Sequence, residues 1–269
     1  MAKPASQPTF NAPMTTNLVS LVRDLQRRKG RRRRGLAVAE GVRLVEEAIA
    51  AGVRLHGVVA AHDLDAGARG AALLETLGNH NVPVATVTPR VLEQLADTDT
   101  PQGVLAVLEP PRWPLDDIRP APRSPVLVLD GVQDPGNVGT LIRTAFALGA
   151  AGAVLLPGTA EPSNPKVLRA AMGATFRLPW ASAADGEFRA WVREVDAVGW
   201  AAASEGTPVS RLSAPERLAL VVGNEGAGVR AAVRELCRAS VAIPLARGAE
   251  SLNVAVAAGI VLFEVARGA

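Results

Sequence analysis

The feature that most restricts the fold of this chain is the alternation of short apolar runs with helical patterns. In the second half, Val126 to Asp130 is a run of branched apolar residues that ends in an acid, as in a buried parallel strand. A helical pattern follows over about 137–148, and the next apolar run comes at 153–156. A strand, a helix and a second strand in this order predict an α/β fold with a parallel sheet.

The first half alternates in the same way on a smaller scale. Its apolar runs predict strands at 36–39, 55–60, 82–87 and 103–108, and its helical spacing predicts helices at 18–26, 42–51, 66–77 and 89–96. Residues 109–124 are rich in proline and predict a stiff, extended linker. The expected organisation is a disordered tail over 1–16, a small α/β domain over 17–108, the linker over 109–124, and a parallel-sheet α/β domain over 125–269.

Composition excludes several classes of protein. The 269 residues are 48% hydrophobic, which is enough for two domains with cores of their own. Cys237 is the only cysteine, so neither an intrachain disulfide nor a cysteine-based zinc site is possible. The three histidines show no ligand spacing, and we expect no metal. Without a secretory signal or a convincing apolar span, a soluble cytoplasmic protein with no membrane contact is expected.

Residues 27–34 are the most strongly charged stretch of the chain. Its cations are Arg27, Arg28, Lys29, Arg31, Arg32, Arg33 and Arg34. Such a run repels itself and attracts polyanions. A solvated and partly disordered arm, a nuclear localisation signal and a membrane-surface patch are the alternatives. Because no amphipathic apolar face accompanies the run, we favour contact with a nucleic acid.

Three polar segments each follow a predicted strand. The first starts after Asp130 with a loop of Gly, Asp and Pro and enters a helix that we expect Asn137 to cap. Arg143 comes nearly two turns later and is expected to project from the same side of the helix as Asn137, so that an amide and a guanidinium could grip a phosphate or a ribose. A capped helix with a surface arginine is the alternative.

The second segment, residues 223–229, holds three glycines and a carboxylate, Glu225. Glycines permit a close approach of the backbone to a ligand, and an ordinary strand-to-helix turn is the alternative. The third segment leads to Ser251, which we expect to cap a long apolar helix, with Asn253 near its start. Polar side chains there need a partner, unless they only cap the helix. A helix that is apolar nearly all round also suggests a subunit interface.

In this order, the three segments resemble the motifs of the SpoU (TrmH) family of RNA 2′-O-methyltransferases, in the SPOUT superfamily. The resemblance covers residues 125–269, and the first half resembles the substrate-binding domain of many members, including the arginine-rich run and the Ala39-Glu40-Gly41 step after it. A further segment, 166–174, places Arg169 where members carry a second arginine. The residues at the family's invariant polar positions are Asn137, Arg143, Glu225, Ser251 and Asn253.

This resemblance implies a fold, a cofactor and partners. The catalytic domain of the family is threaded through a loop as a trefoil knot, and its members are homodimers. Ribosomal RNA is the implied substrate in preference to transfer RNA, because the smallest tRNA-modifying members lack an N-terminal domain. Arg143 and Arg169 would join the basic run in contacting RNA. The positions implied to bind S-adenosylmethionine are Gly223, Gly228, Ile243, Leu245, Leu252 and Asn253.

The implied reaction is displacement at the sulfonium methyl group by a ribose 2′-oxygen. An arginine corresponding to Arg143 has been proposed as the base in this family, but a guanidinium stays protonated. Clamping the adjacent phosphate and stabilising the developing alkoxide is the more favourable role for it. Asn137 would orient the ribose, and Glu225 would fix an arginine or the loop. Ser251 and Asn253 would hold the cofactor end of the site.

Three other functions remain as alternatives. A non-catalytic RNA-binding protein of the same fold would not need the intact polar set. A base methyltransferase of the related knotted class would not be expected to pair Asn137 with Arg143, or Ser251 with Asn253. A doubly wound nucleotide-binding enzyme would have no use for the basic run.

Overall fold

The computed structural model describes residues 12–267, and the chain divides between Pro110 and Pro111 into two compact units. Residues 1–11 of the expected disordered tail lie outside the described residues. Residues 12–16 belong to the first helix, α1 (Ala12–Leu25), so this part of the expectation is wrong. The helix begins early because the packing of its later turns pays the nucleation cost, and each added residue then gains a hydrogen bond.

Unit 1 is a four-stranded mixed sheet with helices. The strand order is β1-β4-β2-β3; β4 is antiparallel to β1 and β2, and β2 is parallel to β3. Leu18, Val22 and Leu25 of α1 pack into its core at the spacing of one helix face. The elements after α1 are α2 (Arg28–Arg34), β1 (Ala37–Glu40), α3 (Val42–Ala50), β2 (Leu55–Ala61), α4 (Ala68–Asn79), β3 (Val84–Val87), α5 (Pro89–Glu93) and β4 (Val104–Leu108).

The basic run is a folded helix, α2, and not a disordered arm. Gly30 packs so closely on the end of α1 that a Cβ there would lie 2.0 Å from the carbonyl oxygen of Asp24. Arg31 is only 5% exposed, and its Nη1 donates to the carbonyl oxygens of Leu25 (3.1 Å) and Gln26 (2.9 Å). The expectation that Arg31 contacts RNA is therefore wrong, because its guanidinium caps the free carbonyls at the end of α1.

The remaining cations of α2 and its N-cap are exposed. Arg33 and Arg34 both donate to the carboxylate of Asp24, at 2.7 and 2.6 Å. The hydrogen bond from Arg34 is the main cause that holds the pKa of Asp24 below its usual range. These contacts attach α2 to α1 at several points and leave Arg27, Arg28, Lys29 and Arg32 on the surface.

Unit 2 is a six-stranded sheet in which all neighbouring strands are parallel, in the order β10-β8-β9-β5-β6-β7. Helices cover both faces, as a fully parallel sheet requires. Its elements are β5 (Val126–Asp130), α6 (Pro135–Ala147), β6 (Gly152–Leu155), α7 (Pro165–Ala171), β7 (Trp180–Ser182), α8 (Asp185–Glu194), β8 (Val198–Pro208), β9 (Leu218–Gly223), α9 (Ala231–Arg234), β10 (Cys237–Ala242) and α10 (Val254–Arg267). No helix within residues 12–267 is long and apolar enough to cross a membrane.

The proline-rich segment is not extended along its whole length. Residues 115–117 form a 3-10 turn, and Ile118 is completely buried in the core of unit 2. The indole Nε1 of Trp191 donates to the carbonyl oxygen of Ile118 at 2.9 Å. Because the apolar side chain of Ile118 is buried in this core, it holds the segment against unit 2.

Candidate functional site

The three polar segments meet where the carboxyl ends of β5 and β9 lie side by side. Asp130 at the end of β5 is in register with Gly223 at the end of β9. The chain continues from β5 to β6 on one side, while β9 lies on the other, so this is a topological switch point of the sheet. Open α/β sheets bind their ligands at such crevices.

Residues 223–229 form a tight turn. A Cβ on Gly223 would lie 2.1 Å from the carbonyl carbon of Gly228, so only glycine fits there. Asn224 and Gly228 exchange two backbone hydrogen bonds, at 3.0 and 2.9 Å, and Gly228 has a φ of +70°. The turn presents Glu225 towards the loop that follows β5.

Glu225 is bound by that loop. Its carboxylate accepts hydrogen bonds from the backbone N–H groups of Gln133 and Asp134, both at 3.3 Å, and from Nδ2 of Asn137 at 3.0 Å. Burial raises the pKa of Glu225, but the hydrogen bonds from Asn137 and the backbone outweigh burial and hold the pKa below its ordinary value. The carboxylate is therefore an anchor in its charged form.

Asn137 connects the second segment with the third. Its Oδ1 accepts from Nδ2 of Asn253 at 2.9 Å, while its own Nδ2 donates to Glu225. A continuous chain of hydrogen bonds thus joins Glu225, Asn137 and Asn253. We refer to these three residues as the polar chain.

Two expected helix caps are wrong. Asp134, not Asn137, caps α6: its Oδ1 accepts from the backbone N–H of Asn137 at 2.8 Å, and Pro135 occupies the first turn. Asn253, not Ser251, caps α10, since its Oδ1 accepts from the N–H of Ala255 at 2.9 Å. Ser251 lies in the exposed loop before the helix.

The two expected arginines lie on the neighbouring helices α6 and α7 and differ in exposure. Arg143 is exposed on α6, and it forms no hydrogen bond or ion pair with any residue of the described range. Six residues of helix place it about 9 Å along the axis from Asn137 and about 120° around it, so the expectation that the two project from the same side of α6 is wrong. Arg169 is half-buried on α7.

A cleft of about 430 Å³ opens between the end of β8 and the loop after β10. Of the positions expected to bind the cofactor, Ile243 and Leu245 line it; Gly223, Gly228, Leu252 and Asn253 do not. Other lining residues are Ser204, Glu205, Gly206, Pro208 and Glu250. Within the described part of the chain, no group of His, Cys, Asp and Glu has the arrangement of a metal site.

The β8 side of this cleft could not be predicted from the apolar run of the strand, because that run extends only over residues 198–203. The strand runs to Pro208, but its pairing with β10 jumps from Ala201 to Thr207, so the residues between them bulge out of the ladder. The signal was present: Ser204, Glu205 and Gly206 are residues typical of turns and loops that follow an apolar run.

Comparison with known proteins agrees with this geometry. The SpoU rRNA Methylase family matches residues 124–263, and the MRM3-like substrate binding domain matches 17–106. The 23S rRNA (guanosine(2553)-2′-O)-methyltransferase of Bacillus subtilis is 36% identical over 245 residues, covering 90% of this chain and 92% of that protein.

Solved structures give the same result. The SpoU methyltransferase AviRb of Streptomyces viridochromogenes, in complex with AdoMet, has a TM-score of 0.82 at 30% identity, over 96% of this chain and 97% of that one. An AdoMet-bound rRNA methyltransferase of Sinorhizobium meliloti has a TM-score of 0.81 at 30% identity, with the same coverage. The family match over residues 124–263 and the relative that is 36% identical over 90% of the chain show that this chain belongs to the SpoU rRNA methylase family.

Proposed function

We propose that the protein transfers the methyl group of S-adenosylmethionine to a ribose 2′-oxygen of ribosomal RNA. The observation that carries this is the polar chain, which brings all three polar segments to one crevice, with Arg143 exposed on the helix that holds Asn137. Relatives named as 23S rRNA 2′-O-methyltransferases favour ribosomal RNA over transfer RNA.

The cleft between the end of β8 and the loop after β10 fits the cofactor. Its volume is within the usual range for small-molecule sites, and apolar Pro208, Ile243 and Leu245 suit the flat face of an adenine. The carboxylates of Glu205 and Glu250 suit a ligand that carries a sulfonium and an ammonium group. When bound, S-adenosylmethionine supplies an electrophilic methyl group. Gly223 and Gly228 shape the adjoining turn without lining the cleft.

Asn137 orients the ribose. Its amide makes one donor and one acceptor contact inside the protein, which leaves one N–H and one lone pair for a substrate hydroxyl. Asn253 and Glu225 fix the plane of this amide from both sides. Glu225 is a poor proton acceptor, because its lowered pKa and its hydrogen bonds keep it in the charged form. It anchors the loop.

Arg143 contributes a fixed positive charge. A guanidinium beside the ribose clamps the neighbouring phosphate in two-point geometry and stabilises negative charge that develops on the 2′-oxygen. Arg169 and the exposed cations of α2 extend the contact with RNA through phosphates, which gives affinity without base recognition. Residues 17–108 are assigned to RNA binding and 125–269 to catalysis.

We also propose a trefoil knot, a homodimer and a cytoplasmic location. The segment after the edge strand β10 must cross the carboxyl ends of the sheet before α10 packs on α6, and a threaded connection accounts for this route. Val256, Ile260 and Phe263 of α10 are exposed and line an apolar groove of about 390 Å³ with Thr140 and Thr144. A second copy of α10 suits this groove. The cytoplasm is where bacterial ribosomal RNA is available.

The test uses deproteinised 23S ribosomal RNA from cells that lack the gene, with methyl-labelled S-adenosylmethionine. The label should appear in dinucleotides that resist alkali, because a methylated 2′-oxygen cannot attack the adjacent phosphodiester. Arg143→Ala should lower transfer by at least about 100-fold and change the affinity for S-adenosylmethionine by less than about threefold.

Arg189→Ala, an exposed arginine on α8, is the matched control and should transfer normally. Label in alkali-sensitive nucleotides would mean base methylation and would refute the proposed reaction. Loss of cofactor binding in a folded Arg143→Ala protein would refute the role of Arg143 as an RNA-side residue.

A further inference from the structure

An ion pair between a fully buried aspartate and a partly exposed arginine lies beside the turn that carries Glu225 and the loop that binds it. Asp130, the last residue of β5, is completely buried. Its Oδ2 accepts from the backbone N–H of Arg230 at 2.7 Å, and its Oδ1 accepts from Nε of the same arginine at 2.6 Å. Arg230 is the residue that follows the turn 223–229.

The guanidinium of Arg230 is held on both of its edges. Its Nη1 and Nη2 donate to the carboxylate of Asp185, the first residue of α8, at 3.0 and 2.7 Å. The hydrogen bonds from Asp185 and then Asp130 raise the pKa of Arg230, against the effect of burial, and Arg230 lowers the pKa of Asp185. Only a planar fork of donors can meet two carboxylates in this way.

These contacts fix the two loops relative to each other. Asp130 immediately precedes the loop 131–134, whose N–H groups bind Glu225, and Arg230 immediately follows the turn that carries Glu225. A second link joins the same loops, since Nδ2 of Asn224 donates to the carbonyl oxygen of Gly131 at 3.0 Å. The ion pair thus joins the loop 131–134 and the turn 223–229 at one end, and the contacts of Glu225 join them at the other.

We propose that Arg230 is a positioning residue for methyl transfer. By bridging Asp130 and Asp185, it keeps the turn 223–229 in place against the loop 131–134, so that Glu225 holds Asn137 in its working orientation. The contact between Asp130 and Arg230 resists breaking, because it would leave a fully buried carboxylate without its partner. This inference rests on the proposed function, and it assigns Arg230 no contact with RNA or cofactor.

Arg230→Lys tests the proposal. A lysine retains one charge for Asp130 but cannot meet both carboxylates. With 23S ribosomal RNA from cells that lack the gene, kcat for methyl transfer should fall about 10- to 100-fold, while KM for the RNA and the affinity for S-adenosylmethionine change less than about threefold. The matched control is Arg217→Lys, which alters a surface pair with Asp196 (2.9 Å) in the same unit and should leave kcat unchanged.

A double-mutant cycle separates positioning from general stability. If Arg230 acts through Glu225, then Arg230→Lys should lower kcat by less than about threefold further in a Glu225→Gln background. Losses that multiply in the double variant would overturn the proposal, as would an unchanged kcat in Arg230→Lys alone.

Two further measurements do not depend on the lysine variant being active. Asp185→Asn changes an exposed side chain and should lower kcat several-fold because one edge of the fork is released; if Arg230→Lys fails to fold, an unchanged kcat in Asp185→Asn would overturn the proposal. Amide hydrogen exchange at Gln133 and Asp134 should become faster in either variant, and unchanged exchange would also overturn it. If exchange responds but wild-type protein methylates no RNA, the proposed function fails, while the finding that Arg230 holds the two loops together stands.

Discussion

Glu225 combines the properties of an anchor. It is a carboxylate at the tip of a turn, yet it accepts hydrogen bonds from two backbone N–H groups and from the amide of Asn137. The sequence predicted a polar residue with a functional role here, but it left open whether an arginine or the loop would be its partner. A backbone N–H group has no signature in the sequence, so only the folded chain identifies the loop as the partner.

The lowered pKa of Glu225 links the site to pH. A carboxylate whose folded pKa lies below its unfolded value of about 4.3 stabilises the fold above that value and loses this contribution as the pH falls through the folded pKa. Glu225→Gln should therefore have a lower melting temperature than the wild type near neutral pH, and the difference should shrink in acid. Thermal unfolding from about pH 3 to about pH 7 measures this.

Glu216→Gln is the control, because Glu216 is an exposed carboxylate of the same unit. Its difference from the wild type should not vary with pH in this way. A Glu225→Gln difference that is constant or grows in acid would contradict the role of the charged form.

Among the helices and strands, α2 is the clearest case in which a run of charged residues does not indicate the local structure. A partly disordered arm was one alternative for the seven like charges, although arginine and lysine are good helix formers. What orders the helix is tertiary: Gly30 permits close packing on α1, and Arg31 caps the end of α1. The run therefore contains both a structural arginine and surface cations.

This division predicts different behaviour for adjacent arginines. Arg32→Ala should reduce the salt dependence of RNA binding by about one count in the log–log slope, because one phosphate contact is lost, and it should lower the melting temperature less than Arg31→Ala does. Arg31→Ala should keep the slope and lower the melting temperature by about 5 °C or more, since it uncovers the end carbonyls of α1. Filter binding across a salt series and calorimetry measure the two effects. The opposite pattern would show that Arg31, not Arg32, meets the RNA.

Helices and strands with a clear periodicity were predictable, whereas their ends were not. The existence of β5, α6, β9 and α10 followed from their apolar patterns, because those patterns record which face is buried. The starts of α6 and α10 were misplaced by two or three residues, since several polar residues compete for each cap and tertiary contacts decide between them. Pro135 was the local signal for the start of α6.

At the scale of the whole molecule, the α/β class and the parallel sheet were predicted correctly, and the extended linker was not. The proline content indicates a stiff segment, but it does not indicate that Ile118 packs into the core of unit 2. The knot, the dimer and the site roles stay predictions. On α10, for which the sequence suggested a subunit interface, Leu262 is buried within its own unit, while Val256, Ile260 and Phe263 are exposed.

The dimer is tested at this exposed face. Val256→Asp places a charge in the apolar groove without disturbing the core, because Val256 is 51% exposed. Light scattering at micromolar concentration should give a dimer for the wild type and a monomer for this variant. Ala190→Asp, on the exposed side of α8, should remain a dimer. A wild-type monomer would contradict the proposed assembly.

The hydrogen bond between Asn137 and Asn253 joins residues that are 116 positions apart. During translation at about 5–20 residues per second, roughly 6 to 23 seconds pass between the addition of the first and of the second. Throughout this interval the nascent chain has Arg143 and Asn137 but lacks the amide that holds Asn137 in place. The polar chain is therefore incomplete while the protein is still bound to a ribosome and surrounded by ribosomal RNA. With the role proposed for Asn137, the chain has to be completed as far as α10 before it can modify any RNA.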